Sequence, residues 1–224
     1  MTEIWFRGRA NFDAVIYELQ NTHGMAKPSE VILSGGSAGG LAVFYNLDHL
    51  ATLLPATTRL TGFPDAGLFM DHAEMSSPAH TYTELFKGSD PVWNVTGGGG
   101  TNLACLADLA PKGEGWKCLM AQYASAYIET PLYVINSTVD AWQMGNIFKL
   151  SCKPEACEGA DLAKMQAYST TMQAAVAASV TTGKPKNGAF LDNCYVHEQN
   201  VNYCSSQVRK TPSWSRSWAN FNPL

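Results

Sequence analysis

Five consecutive residues, Gly35-Gly36-Ser37-Ala38-Gly39, satisfy the pattern Gly-x-Ser-x-Gly. A serine hydroxyl becomes an effective nucleophile only when a base takes its proton and fixed N–H donors meet the oxyanion that forms, so this pattern points to acyl transfer. The small residues have a steric reason: a serine lifted out of a sheet on a sharp strand-to-helix turn leaves no room for larger neighbours. Ser37 is then the candidate nucleophile. The backbone N–H of Ala38, at the positive end of the helix that follows, is a candidate oxyanion donor. In this architecture the chain order is serine, acid, histidine. Of His23, His49, His72, His80 and His197, only His197 follows the last apolar segment, in a loop from which an imidazole can reach back to Ser37. For the acid, Asp140 stands a short turn beyond the strongest strand and just before a helix, where its other possible role is an N-cap. The two roles need not exclude each other, although one carboxylate cannot easily cap a helix and orient an imidazole at once. Asp65 and Asp192 are the competing acids.

The elements that must position these groups are legible in the apolar pattern. Phe12, Val15, Ile16 and Leu19 mark an amphipathic helix over 11–23, with Gly24 as its C-terminal cap. Residues 31–33 read as a buried strand running into the glycine turn, and 38–54 as a helix that stops before Pro55. A second strand is expected over 60–67. A helix over 118–129 precedes the clearest strand, 131–136, which looks buried on both faces. Helices over 141–150 and 161–182 and a strand at 189–191 complete the pattern. The stretch 75–101 is polar and rich in turn formers, and reads as a surface excursion with the glycines 97–100 as its flexible tip. Strands separated by helices predict an α/β fold with a mostly parallel sheet.

Composition bounds the function. The chain has 224 residues, 46% hydrophobic and 15% charged, which suits one core-forming domain spanning residues 1–224. A net charge of -4 argues against a nucleic-acid partner, because phosphate contacts need clustered Lys and Arg. No apolar run is long enough for a membrane span, and no leader-like segment follows Met1. The glycine run 97–100 lacks the Gly-Lys-[Ser/Thr] of a phosphate loop, so a nucleotide is not expected there, and no metal or cofactor is called for. Six cysteines without a Cys-x-x-Cys pair fit disulfides better than zinc; Cys105 with Cys118, Cys152 with Cys157 and Cys194 with Cys204 is the simplest pairing. The sequons at Asn94 and Asn136 lean toward secretion. Trp93, Trp116, Trp142, Trp214 and Trp218 can line a carbohydrate or lipid groove or simply pack in the core.

At these residues the sequence resembles the pectin acetylesterase and Notum family of serine carboxylesterases. The block from Ile32 to Ala42 resembles the family's nucleophile segment, and Phe6-Arg7-Gly8 a strand end that precedes it. Asp65-Ala66-Gly67-Leu68-Phe69-Met70-Asp71 is similar to a further family block. Asn136, Asp140, Trp142, Gln143 and Asn146 resemble the acid block, and Cys194-Tyr195-Val196-His197 the histidine block. The resemblance implies an α/β-hydrolase-like three-layer fold, Ser37 as nucleophile, Asp140 as acid, His197 as base, disulfide bonds and a secreted, cell-wall setting. It also implies an acetylated polysaccharide such as pectin as the ester substrate. Glu198 is instead more Notum-like, which keeps a long-chain acyl ester as the alternative. The family's upstream Gly-Gly-Gly-Trp-Cys-like segment, which supplies the second oxyanion donor, has no counterpart among residues 1–36. The expectation is therefore an N-terminally incomplete domain with its early strands missing, and a catalytically impaired fragment is a third reading.

Overall fold

The computed structural model describes residues 6–181 and 187–199. Helix α1 (Gly8–Thr22) is followed by strand β1 (Glu30–Gly36), helix α2 (Ala38–Leu53) and strand β2 (Arg59–Asp65). Helices α3 (Thr81–Trp93), α4 (Val95–Gly98), α5 (Leu103–Leu109) and α6 (Ala121–Ala124) then lead to β3 (Tyr133–Ser137). Helix α7 (Ala141–Asn146), helix α8 (Gly159–Thr181) and strand β4 (Gly188–Asp192) close the described order. The four strands form one parallel sheet in the order β1-β2-β3-β4. Register pairs Gly36 with Asp65, Asp65 with Ile135, and Ser137 with Asp192, so the carboxyl ends of all four strands lie at one edge of the molecule. The fold is α/β, as the alternating pattern predicts.

One face of the sheet builds the core. Leu41, Phe44, Leu47 and Leu50 of α2 meet Leu60, Leu132 and Val134 of the sheet and Met165, Tyr168, Met172 and Val176 of α8 in a single buried cluster. Truncating a fully buried leucine such as Leu47 is expected to cost about 2–5 kcal/mol. The other face differs. Ile32 is 62% exposed, and Phe63, stacked on Tyr133, is only half-buried, as are Tyr133 and Ile135. The expectations of a buried β1 and of a β3 buried on both faces are thereby corrected: among the described residues the core cluster forms on the α2 and α8 side alone.

Two loop and helix expectations also change. The stretch 75–101 holds α3, a 13-residue helix, because Tyr82, Phe86 and Trp93 share an apolar face despite Gly88 and Pro91. Near the glycines a helical turn forms at α4, and α5 opens soon after, with the Asn102 side-chain oxygen Oδ1 accepting the Cys105 N–H at 3.0 Å as its N-cap. The expected helix over 118–129 is instead α6 flanked by two 3₁₀ turns, since Met120 adopts extended backbone and interrupts it. Disulfides join Cys105 to Cys118 and Cys152 to Cys157. Cys204, Trp214 and Trp218 lie outside the described residues, and with Cys204 the third expected pairing. Among the described residues no helix is long and apolar enough to cross a membrane.

Candidate active site

Ser37 occupies the turn between β1 and α2 with φ 56° and ψ -121°, a backbone state that side-chain-bearing residues rarely adopt. The turn needs its glycines. A Cβ on Gly35 would sit 2.6 Å from the carbonyl carbon and oxygen of Gly39, and one on Gly40 would sit 2.5 Å from the Asp65 carbonyl oxygen. The backbone of α2 thus rests directly on the ends of β1 and β2. The Ser37 N–H donates to the Asp65 carbonyl at 2.9 Å, while no side chain caps α2, so the serine hydroxyl is not spent on its own helix.

That hydroxyl lies 2.6 Å from Nε2 of His197, and Nδ1 of His197 lies 2.8 and 3.0 Å from the two carboxylate oxygens of Asp140. Ser37, Asp140 and His197 therefore converge from three strand ends, although 160 residues separate the serine from the histidine. Asp140 is fully buried and also caps α7, its Oδ1 accepting the Gln143 N–H at 2.9 Å. The expected conflict between capping a helix and holding an imidazole does not arise, because a carboxylate carries enough lone pairs for both and Oδ2 makes the shorter bond to the ring. Burial pushes the Asp140 carboxyl up, against the pull of His197 and of the Gln143 and Trp142 backbone N–H groups. Burial works against the imidazolium too, but the Asp140 hydrogen bond and charge, with Glu198 and Asp65, overcome it and raise His197 above the ordinary histidine range.

The competing acids take other places. Asp65, buried at the end of β2, accepts the Gln199 N–H with both carboxylate oxygens, at 2.9 and 3.1 Å. Asp192 at the end of β4 accepts the Cys194 N–H at 3.0 Å and the Gln199 side-chain amide at 3.3 Å. The other histidines stand apart: His49 meets Asp13, His80 meets Asp71, and His72 packs on Tyr168. The Ala38 N–H lies at the start of α2, beside Ser37. Asn136 is fully buried, its oxygen 3.4 Å from the Leu68 N–H, whereas Asn94 is exposed at the end of α3.

Two features of the surroundings give parts to residues that the sequence marks only as members of the resembling blocks, Gln143 and Trp142 beyond Asp140 and Phe69 beyond Asp65. Buried Gln143 accepts from Met70 N–H and from Tyr168 Oη, and donates to the Leu68 carbonyl, bracing the loop after β2 against α7. That loop carries Phe69, which lies 6.2 Å from the His197 ring; Trp142 stacks on the same ring at 6.0 Å. Tyr82 touches both aromatics, and Phe86 and Trp93 extend the row along α3. Among the described residues, Trp142 is the tryptophan weighed for a groove that stands beside the imidazole. Trp116 lies instead under the ammonium of Lys87, 4.6 Å from its ring centre.

Comparison with known proteins identifies what this arrangement is similar to. The family model described as Pectinacetylesterase matches residues 1–218. Pectin acetylesterase 11 of Arabidopsis thaliana is 31% identical over 213 residues, which is 88% of this chain and 51% of that protein. Pectin acetylesterase 7 of the same plant is 28% identical over 223 residues, 94% of this chain and 54% of that protein. The chain thus spans about half the length of these curated relatives. Among solved structures, the Wnt deacylase Notum from Drosophila superposes with a TM-score of 0.71 at 21% identity, covering 86% of this chain and 52% of that one. The likeness at that identity is one of fold.

Proposed function

The chain belongs to the pectinacetylesterase family, and from that premise we propose that it is part of a secreted serine carboxylesterase that removes acetyl groups from an acetylated polysaccharide such as pectin. The observation that carries the reading is the continuous chain of hydrogen bonds from Ser37 through His197 to Asp140, at 2.6 and 2.8 Å. In the proposed reaction Ser37 Oγ attacks the acetyl carbonyl carbon as its proton passes to His197 Nε2. Asp140 holds the imidazole by Nδ1 and offsets the positive charge that forms. The Ala38 N–H donates to the oxyanion in a field already favourable at the start of α2. Collapse breaks the ester bond, and the leaving sugar oxygen takes the proton from His197. Water, deprotonated by the same nitrogen, then attacks the acetyl-serine and releases acetate.

The polysaccharide reading rests on the plant pectin acetylesterases among the relatives, and the disulfides Cys105–Cys118 and Cys152–Cys157 fit an oxidising, extracellular setting. Acetate release from acetylated pectin, compared with hydrolysis of chromogenic acetyl and octanoyl esters, tests it. Release of acetate with a preference for the acetyl ester supports the reading. A preference for the octanoyl ester overturns it in favour of a long-chain acyl substrate, and no turnover of either identifies an impaired fragment.

A further inference from the structure

We propose that Asp65 is a positioning residue that holds the nucleophile and the base in register, gripping Ser37 with its backbone and the His197 loop with its side chain. This rests on the serine esterase reading above. The geometry is direct. The Asp65 carbonyl accepts the Ser37 N–H at 2.9 Å, and its carboxylate accepts the Gln199 N–H at 2.9 and 3.1 Å, two residues beyond His197. The side chain is buried, and a buried carboxylate is costly unless fixed donors meet it, so its placement marks a demand rather than a surface accident.

The demand comes from the histidine loop. Residues 193–199 contain no helix or strand beyond a single bridge at Cys194, so neighbours must fix the imidazole. On the near side of His197 the loop is tied by the Ala141 N–H to the Val196 carbonyl at 3.0 Å. On the far side Gln199 straddles two strand ends, its backbone on Asp65 and its side chain on Asp192. Asp140 fixes the ring but not the backbone that carries it. A displacement of about 1 Å between reacting groups can cost about 100-fold in rate, so the tether at Gln199 is as consequential as many direct contacts. Three carboxylates favour the imidazolium by their charge: Asp140 from the start of α7, Glu198 from the same loop, where it lies against Gly36, and Asp65 from the end of β2. Removing the charge of Asp65 should therefore lower the pH at which His197 loses its proton.

The test uses Asp65→Ala and Asp65→Asn in the full chain. In Asp65→Ala, kcat on p-nitrophenyl acetate is expected to fall about 100-fold with KM changed less than about threefold. Asp65→Asn keeps an acceptor for Gln199; it should recover about tenfold of that loss and move the acid limb of kcat/KM to lower pH. Equal loss in both variants with an unmoved limb, or wild-type kcat in Asp65→Ala, overturns the proposal. The His197 ring titration, followed by NMR, reads the same coupling without turnover. If the wild type hydrolyses no ester, the chain is the impaired fragment named above; a His197 titration midpoint unchanged in Asp65→Asn then overturns the Asp65 proposal separately.

Discussion

Ser37 and His197 meet within 2.6 Å, yet they arrive by opposite means. The serine side is built from regular backbone: a paired strand, a left-handed turn residue and a helix packed so tightly that two glycines leave no room for a Cβ. The histidine side is a loop held from outside, by Asp140 on the ring, Asp65 and Asp192 on Gln199, and the hydroxyl of Ser137 on the Cys194 carbonyl. The difference teaches where each side is fragile. Steric change should disable the first, and polar substitutions that barely alter volume should disable the second.

The sharpest separation comes at Asp140. Asp140→Asn retains an oxygen to cap α7 but cannot hold the same imidazole tautomer, so kcat on an acetyl ester is expected to fall about 10³- to 10⁴-fold, while the unfolding midpoint in urea barely changes. On the serine side, Gly35→Ala drives a methyl group into the backbone of Gly39 and should cost both activity, about 100-fold, and thermal stability; a change in activity without one in Tm would contradict the steric description. The pH profile comes next. Because the folded structure raises His197 above its ordinary value, its imidazole holds the proton to higher pH than a free histidine does, and under the proposed mechanism kcat/KM should climb through a midpoint on the alkaline side of that value. A midpoint on its acid side would show that burial outweighs Asp140. The smallest effect on activity is expected far from both sides. Cys105→Ser with Cys118→Ser opens a 13-residue loop and should lower stability by about 3 kcal/mol in chemical denaturation, with kcat within about twofold of the parent.

The same contrast explains what the sequence could and could not reveal. The turn that carries Ser37 is contiguous, so the apolar run before it, the glycines within it and the helix pattern after it suffice to locate Ser37 and Ala38 at the start of α2. Asp140 and His197 can be ordered along the chain, but their contact spans 57 residues and depends on parallel pairing of β3 with β4. The link from Asp65 to Gln199 spans 134 residues, and neither residue type announces it, so Asp65 reads equally well as a rival acid. Helix α3 is hidden because Gly88 and Pro91 look like breakers until Tyr82, Phe86 and Trp93 find the aromatic row they pack in. The half-open face of β1 and β3 is hidden for the converse reason: an apolar β-branched run looks buried whether or not anything covers it.

The central claim is that Ser37, activated by His197, is a nucleophile. Treating the folded chain with a fluorophosphonate probe and mapping the modified peptide by mass spectrometry tests it most directly. The expected result is one adduct on Ser37, lost in Ser37→Ala and at least about 10³-fold slower in Asp140→Asn. An adduct on a different serine, or a folded chain that stays unmodified at Ser37, would contradict it.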